Sequence, residues 1–238
     1  MNGVLVIDKP SVLTSHDVVS KIKKKLGAKK VGHLGTLDPL ATGVLVLVID
    51  GATKCARLLD GGNKEYAAGL VLGIETDTYD SVGTVTFKGD ASAVTEAAVM
   101  EALSRFTGKV QQVPPMYSSV KRNGVPLYKL ARKGITVERA PKDIEIYSIE
   151  ATSIALPAVS FRVVCSKGTY VRTLCHDLGR ALGCGAHMTS LRRTASGPFN
   201  IEGAVKMDEE KEALVNRMIP LDEALKMSGA QTEVSEAV

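Results

Sequence analysis

The chain has 238 residues, 45% of them apolar, with 22 glycines and no tryptophan, a composition that excludes a disordered or fibrous protein. Apolar runs such as residues 44–49 fall far short of the roughly 20 residues a membrane-spanning helix needs, and the N-terminus lacks a secretory apolar core. A cytoplasmic protein with no membrane partner is therefore expected. The net charge of +4 hides an uneven distribution: residues 1–200 hold 26 Lys/Arg against 17 Asp/Glu, and residues 201–238 hold 4 against 9.

The basic residues cluster at 21–30, 121–142 and 162–193. Three such clusters attract polyphosphates and make nucleic acid the leading partner, although a run such as Lys23-Lys24-Lys25 also suits a solvated helix face. Cys55, Cys165, Cys175 and Cys184 show no CxxC spacing, and the four histidines do not fall at zinc-binding intervals. Neither a disulfide framework nor a metal site is expected.

In chain order, Gly3 to Ile7 reads as a short buried strand ending at Asp8-Lys9-Pro10. Ser15 then caps a helix whose Val18, Val19, Ile22 and Leu26 recur at helical spacing until Gly27 stops it. Residues 32–43 form a polar, glycine-punctuated loop leading into an apolar strand at 44–49. Further strands are expected at 66–72 and 84–87, and a helix at 95–106 with Val99, Leu103 and Phe106 on one face. Pro114-Pro115 opens a basic, turn-rich stretch with a short helix near 127–132. Residues 144–154 and 158–166 form a hairpin, and Thr169 starts a helix with Val171, Leu174, Leu178 and Leu182 on its apolar face. Strands and helices without regular βαβ alternation imply an α+β fold. No linker divides the chain, so one domain over 1–228 is the simplest reading, with a frayed tail at 229–238.

The segment from Gly32 to Gly43, GHLGTLDPLATG, describes a tight loop that lets backbone approach a ligand and points one carboxylate inward. Taken alone, Asp38-Pro39 also suits an ordinary turn opener. The whole segment resembles the signature loop of the TruB family of pseudouridine synthases, GHxGTLDPxATG, with every specified position filled. Asp8-Lys9-Pro10 with Thr14-Ser15, Ala52-Thr53-Lys54, Lys64-Glu65-Tyr66, and Gly73 with Thr76, Thr78 and Asp80 follow the family's order. So do Tyr117-Ser118 with Lys121 and Gly124, Lys167 to Arg172, and Leu191 to Thr194 with Gly197. The likeness runs from residue 3 to about residue 225.

The resemblance implies a pseudouridine synthase fold: a central mixed, mostly antiparallel sheet flanked by helices and RNA-gripping insertions. It implies isomerisation of uridine 55 in the T loop of tRNA, with the nucleotide flipped from its stack, Asp38 as catalytic carboxylate, and Arg172 holding that carboxylate ionised. It makes Tyr66 the tyrosine that stacks on the target uracil, and Tyr170 and Leu191 pocket residues. His33 would contact RNA or fill the space left by the base, and Lys9, with Pro10, would support the loop or lie near phosphate. Residues 114–142 resemble an insertion that closes over the T stem-loop, with Lys121, Arg122, Lys129, Arg132 and Lys133 meeting phosphate.

The reaction is redox-neutral and consumes no water. No GxGxxG opening a helix and no GxxxxGK[ST] is present, so no cofactor is expected. The resemblance implies the tRNA T stem-loop as partner, with no obligate protein partner and a monomer as the expected state. Two departures stand out: Val12 occupies a position where the family commonly has glycine, so its backbone should avoid positive φ, and the chain ends without room for a complete C-terminal PUA domain. The rival readings are a non-catalytic RNA-binding or tRNA-folding module, a guide-RNA-dependent rRNA synthase and, more remotely, a nucleotide hydrolase.

Overall fold

A computed structural model describes residues 1–230; the expected tail lies almost wholly outside them. In chain order the elements are β1 (Asn2–Lys9), α1 (Ser15–Leu26), β2 (Val31–Leu34), β3 (Thr42–Asp50), a 3-10 turn (Gly51–Cys55), α2 (Ala56–Leu59), β4 (Lys64–Leu72), β5 (Ile74–Thr76), β6 (Val85–Lys88), α3 (Glu96–Ser104) and β7 (Gly108–Gln112). There follow β8 (Lys121–Arg122), β9 (Val125–Pro126), α4 (Leu127–Ala131), β10 (Lys142–Ala155), β11 (Ala158–Cys165), α5 (Val171–Ala181), β12 (Ala186–Ser196), β13 (Phe199–Asn200), β14 (Val205–Lys206), α6 (Lys211–Asn216), β15 (Ile219–Pro220) and α7 (Leu221–Met227). No helix among the described residues is long and apolar enough to cross a membrane. Two compact units divide the chain, one built from residues 1–66 and 192 onward, the other from 67–191. Both mix helices with largely antiparallel strands, as the expected α+β class requires.

In the first unit β3 is the central strand. β1 runs antiparallel to it along its whole length, from Asn2↔Asp50 to Lys9↔Gly43. The other edge is shared: β2 pairs antiparallel with residues 46–49, and Arg192 and Arg193 of β12 pair parallel with Thr42 and Gly43. Val4, Val6, Val44, Val46 and Val48 join Leu59, Phe199 and Leu225 in one core cluster. Leu5, Ile7, Leu45, Leu47 and Ile49, which alternate with those valines, are fully buried too. Burial on both faces is why residues 44–49 read as an unbroken apolar run and not as an alternating one.

α1 packs against β2 and buries Val18, Val19, Ile22 and Leu26. Its N-cap is Thr14, one residue before the Ser15 expected from sequence. The Thr14 hydroxyl accepts the Asp17 N–H while the Asp17 carboxylate accepts the Thr14 N–H, a reciprocal capping box. Ser15 is buried and bonded elsewhere, so it is unavailable as a cap. Gly27 ends the helix at φ 69°, as expected. At the same end the Lys25 ammonium donates to the carbonyls of Met207, Asp208 and Glu209, at 3.2, 3.1 and 2.6 Å.

In the second unit β10 pairs antiparallel with β11 and, on its other edge, with β7. β11 alternates cleanly, burying Val159, Phe161, Val163 and Cys165. α3 and α5 pack against each other, and α3 lies on β10. α3 is capped by the Thr95 hydroxyl. α5 begins at Val171 after its N-cap Tyr170, two residues later than the Thr169 start expected, because the Thr169 hydroxyl donates back to the Ser166 carbonyl at 2.9 Å in the preceding turn.

Two further expectations need correction. The first residues of the supposed 32–43 loop are strand β2, whose glycine and histidine conceal its pairing with β3. Val12, expected to avoid positive φ, sits at φ 75°. Its N–H donates to the Pro39 carbonyl at 2.8 Å and its side chain, 82% exposed, meets little resistance, so the turn is set by that bond and not by the residue's own preference.

Candidate active site

Asp38 occupies the tip of the hairpin that joins β2 to β3. The strands pair only as far as Leu34↔Val46, and beyond that point the chain fans open to form residues 35–41. β12 enters this mouth beside Thr42 and Gly43. Gly43 has to lack a side chain, since a Cβ there would lie 2.2 Å from the Arg193 carbonyl oxygen.

Three buried side chains hold the opened loop. Arg193, 1% exposed, donates from Nε to the Val44 carbonyl at 2.7 Å and from Nη2 to the Gly35 carbonyl at 3.1 Å, stitching the two sides together. The Ser15 hydroxyl accepts the Leu37 N–H at 2.9 Å and donates to the Leu37 carbonyl at 3.0 Å, fixing the peptide next to the carboxylate. Lys9, fully buried, donates from Nζ to the carbonyls of Pro10 (2.9 Å), Pro39 (3.4 Å) and Ala41 (2.7 Å). The Ala41 N–H closes a turn onto the Asp38 carbonyl at 3.0 Å, with Pro39 in the position proline favours. Asp38 is left half-buried, its backbone pinned from below.

Burial lowers the Lys9 ammonium to about 8, and Arg193 adds to the effect, while the negative charge of Asp38 acts the other way. Lys9 is thus committed to the loop's carbonyls and lies within the field of Asp38. His33, on β2, points a buried Nδ1 that has no hydrogen-bond partner in the structure. Burial, followed by the charges of Arg193 and His16, depresses its imidazole below the usual value. Tyr66 lies on β4 in the same unit and is buried.

Tyr170, Arg172 and Leu191 belong to the second unit. Arg172, 5% exposed, projects from the first turn of α5. Its guanidinium lies 3.9 Å from the Asp80 carboxylate, donates to the carbonyls of Tyr117 and Thr78, and stands 5.9 Å from the centre of the Tyr170 ring. Asp80 is itself buried, and it accepts the Thr78 hydroxyl at 2.6 Å and the Val82 N–H at 3.2 Å. Leu191 is buried near the end of this unit.

Lys121, Arg122, Arg132 and Lys133 are exposed. Lys121 and Arg122 lie on the β8–β9 hairpin, whose Asn123-Gly124 turn takes positive φ at both residues. Arg122 also donates to the Glu138 carbonyl, and Arg132 stacks 5.3 Å over Tyr128.

Four positions to which sequence reasoning gave no part in the site carry the geometry: Arg193, Ser15, which was read only as a helix cap, Asp80 and Gln112. The first three stand inside the family motifs and Gln112 a few residues before one, but nothing in a sequence distinguishes a buried arginine from an RNA-facing one. Cys165, Cys175 and Cys184 are buried thiols, and Cys55 is partly exposed.

Residues 23–171 match the N-terminal domain of TruB family pseudouridylate synthases, and residues 172–226 match the tRNA pseudouridylate synthase B C-terminal domain. The chain belongs to the TruB family of pseudouridylate synthases. It is 53% identical over 212 residues to tRNA pseudouridine synthase B of Geobacter sulfurreducens, covering 89% of this chain and 70% of that protein. It is 47% identical to the Syntrophus aciditrophicus protein of the same name, covering 99% of this chain and 77% of the other. Among solved structures it resembles one of a Cbf5–Nop10–Gar1 complex, with TM-score 0.74 and 34% identity over 94% of this chain and 62% of that one.

Proposed function

We propose that the chain isomerises a uridine in the T loop of tRNA to pseudouridine, with Asp38 as the reacting carboxylate. The N1–C1′ glycosidic bond breaks, the uracil turns, and C5 bonds to C1′. The C5 proton leaves and N1 gains one, so no cofactor, oxidant or water is consumed. A carboxylate suits this sequence as a nucleophile or as the stabiliser of cationic sugar character. The observation that carries the reading is the loop: three buried side chains from separate parts of the chain hold its backbone and present one acid at its tip.

Arg172 and Tyr66 take their roles from the motifs in which they sit. Arg172 keeps the Asp38 carboxylate ionised; Tyr66 stacks on the uracil and assists the C5 proton. The nucleotide reaches Asp38 only by leaving its stack, at a cost of a few kcal/mol that contacts to the RNA offset. His33 fills the vacated space or contacts the RNA. The insertion's exposed cations grip phosphate, and the protein acts on free tRNA in the cytoplasm, as a monomer. The higher identity to proteins named tRNA pseudouridine synthase B than to the Cbf5 chain supports tRNA over a guided substrate.

The test compares the wild type with Asp38→Asn on a T stem-loop transcript. Binding should persist within about tenfold, or about 1.4 kcal/mol, while product formation is abolished. An asparagine variant that still makes pseudouridine removes Asp38 from the chemistry.

A further inference from the structure

Gln112 ends β7 and is 4% exposed. Its amide meets the Tyr170 backbone twice, across 58 residues of sequence: the Tyr170 N–H donates to Oε1 at 2.8 Å, and Nε2 donates to the Tyr170 carbonyl at 3.1 Å. One side chain thereby makes the reciprocal pair that two strands ordinarily make. Tyr170 is the N-cap of α5 at φ −98° and ψ 103° and makes no side-chain cap. Gln112 thus holds the backbone on both sides of the Tyr170 Cα, and the Leu174 N–H also donates to its carbonyl, at 3.1 Å. A few residues on, the same exit from β7 supplies the Tyr117 carbonyl that accepts from Arg172. The end of β7 thus holds the Tyr170 peptide and the Arg172 guanidinium together.

We propose that Gln112 is a positioning residue for the isomerisation, setting the direction of the Tyr170 ring and, through the first turn of α5, of Arg172. The inference rests on the reading that Tyr170 and Arg172 serve the target nucleotide. Gln112 makes no contact with RNA in this role. Removing its amide deprives the half-buried Tyr170 backbone of two hydrogen bonds and loosens it, with the Leu174 N–H still on its carbonyl, and misplacement of a reacting group by about 1 Å can cost about a hundredfold in rate.

The experiment measures single-turnover pseudouridine formation, RNA affinity and melting temperature for the full chain. The variants are Gln112→Met, Gln112→Glu, Tyr170→Ala and the double variant Gln112→Met with Tyr170→Ala. Gln112→Met keeps the shape but loses both bonds. It should bind RNA within about threefold of wild type and react about tenfold to a hundredfold more slowly. Gln112→Glu keeps the acceptor for the Tyr170 N–H and should recover part of the rate; it also carries the test if the methionine variant does not fold. In the double variant the two losses should add only in part, since the Tyr170 ring is common to both while the effect on Arg172 is not. Wild-type rate in both glutamine variants, or a loss no larger than the fall in folded fraction, overturns the proposal. Wild-type rate in Tyr170→Ala overturns instead the reading beneath it, and the two failures are thereby told apart.

Discussion

At the scale of single residues, Val12 holds a left-handed backbone at φ 75°, a conformation that costs an L-residue about 1–2 kcal/mol and a β-branched one at least that. The bond to Pro39 maintains it and ties this turn to the residue after Asp38. Val12→Gly should raise stability by about 1 kcal/mol, after allowance for glycine's looser unfolded chain. A denaturant titration checks this, and a variant less stable than wild type would show that the valine side chain contributes packing despite its exposure. The burial of Lys9 and Arg193 belongs to the same scale. Both lie in family motifs, yet the residue types alone suggest phosphate contacts, and only the fold shows that their charges are committed to backbone carbonyls.

At the scale of elements, the strong periodicities were legible: α1, α3, β3 and the β10–β11 hairpin stand within a few residues of where pattern places them. β2 was not, because Gly32 and His33 carry no alternation and its pairing is decided by β3, farther along the chain. The start of α5 was displaced by a side-chain bond of Thr169 that no periodicity reports. α5 carries one further consequence. Burial raises its Asp177 carboxyl from 3.8 to about 6, so the folded chain holds that proton more tightly than the unfolded one. The stability this group contributes is full below the ordinary carboxylate value and is lost as pH rises through about 6. Asp177→Asn, which cannot ionise, should therefore raise the melting temperature more at about pH 8 than at about pH 4. Thermal melts at the two pH values test it, and an equal change at both would remove the burial argument.

At the scale of the whole molecule, the α+β class, the TruB motifs and the basic character were all legible, whereas the division into two compact units was not. The chain leaves the first unit after Tyr66 and returns at Arg192, in the middle of strands β4 and β12, where no composition shift marks a boundary. The exposed cations of residues 121–133 make a separate prediction. Replacing Lys121, Arg122 and Lys133 by glutamine should weaken T stem-loop binding and flatten its dependence on salt, by about 0.7–0.9 in logarithmic slope for each phosphate no longer neutralised. RNA titrations across a salt series measure it, and an unchanged slope would assign the grip to other residues.

Lys25 bears on how such charges should be counted. Its ammonium rests on three successive carbonyls of residues 207–209, so a cation that the sequence places in a lysine-rich run serves as a rivet for a distant stretch of backbone. The ammonium keeps its charge and its field but is not free to reach a phosphate, so the lysines able to touch a polyanion are fewer than the lysine content suggests, and replacing this one would weaken cohesion as well as attraction.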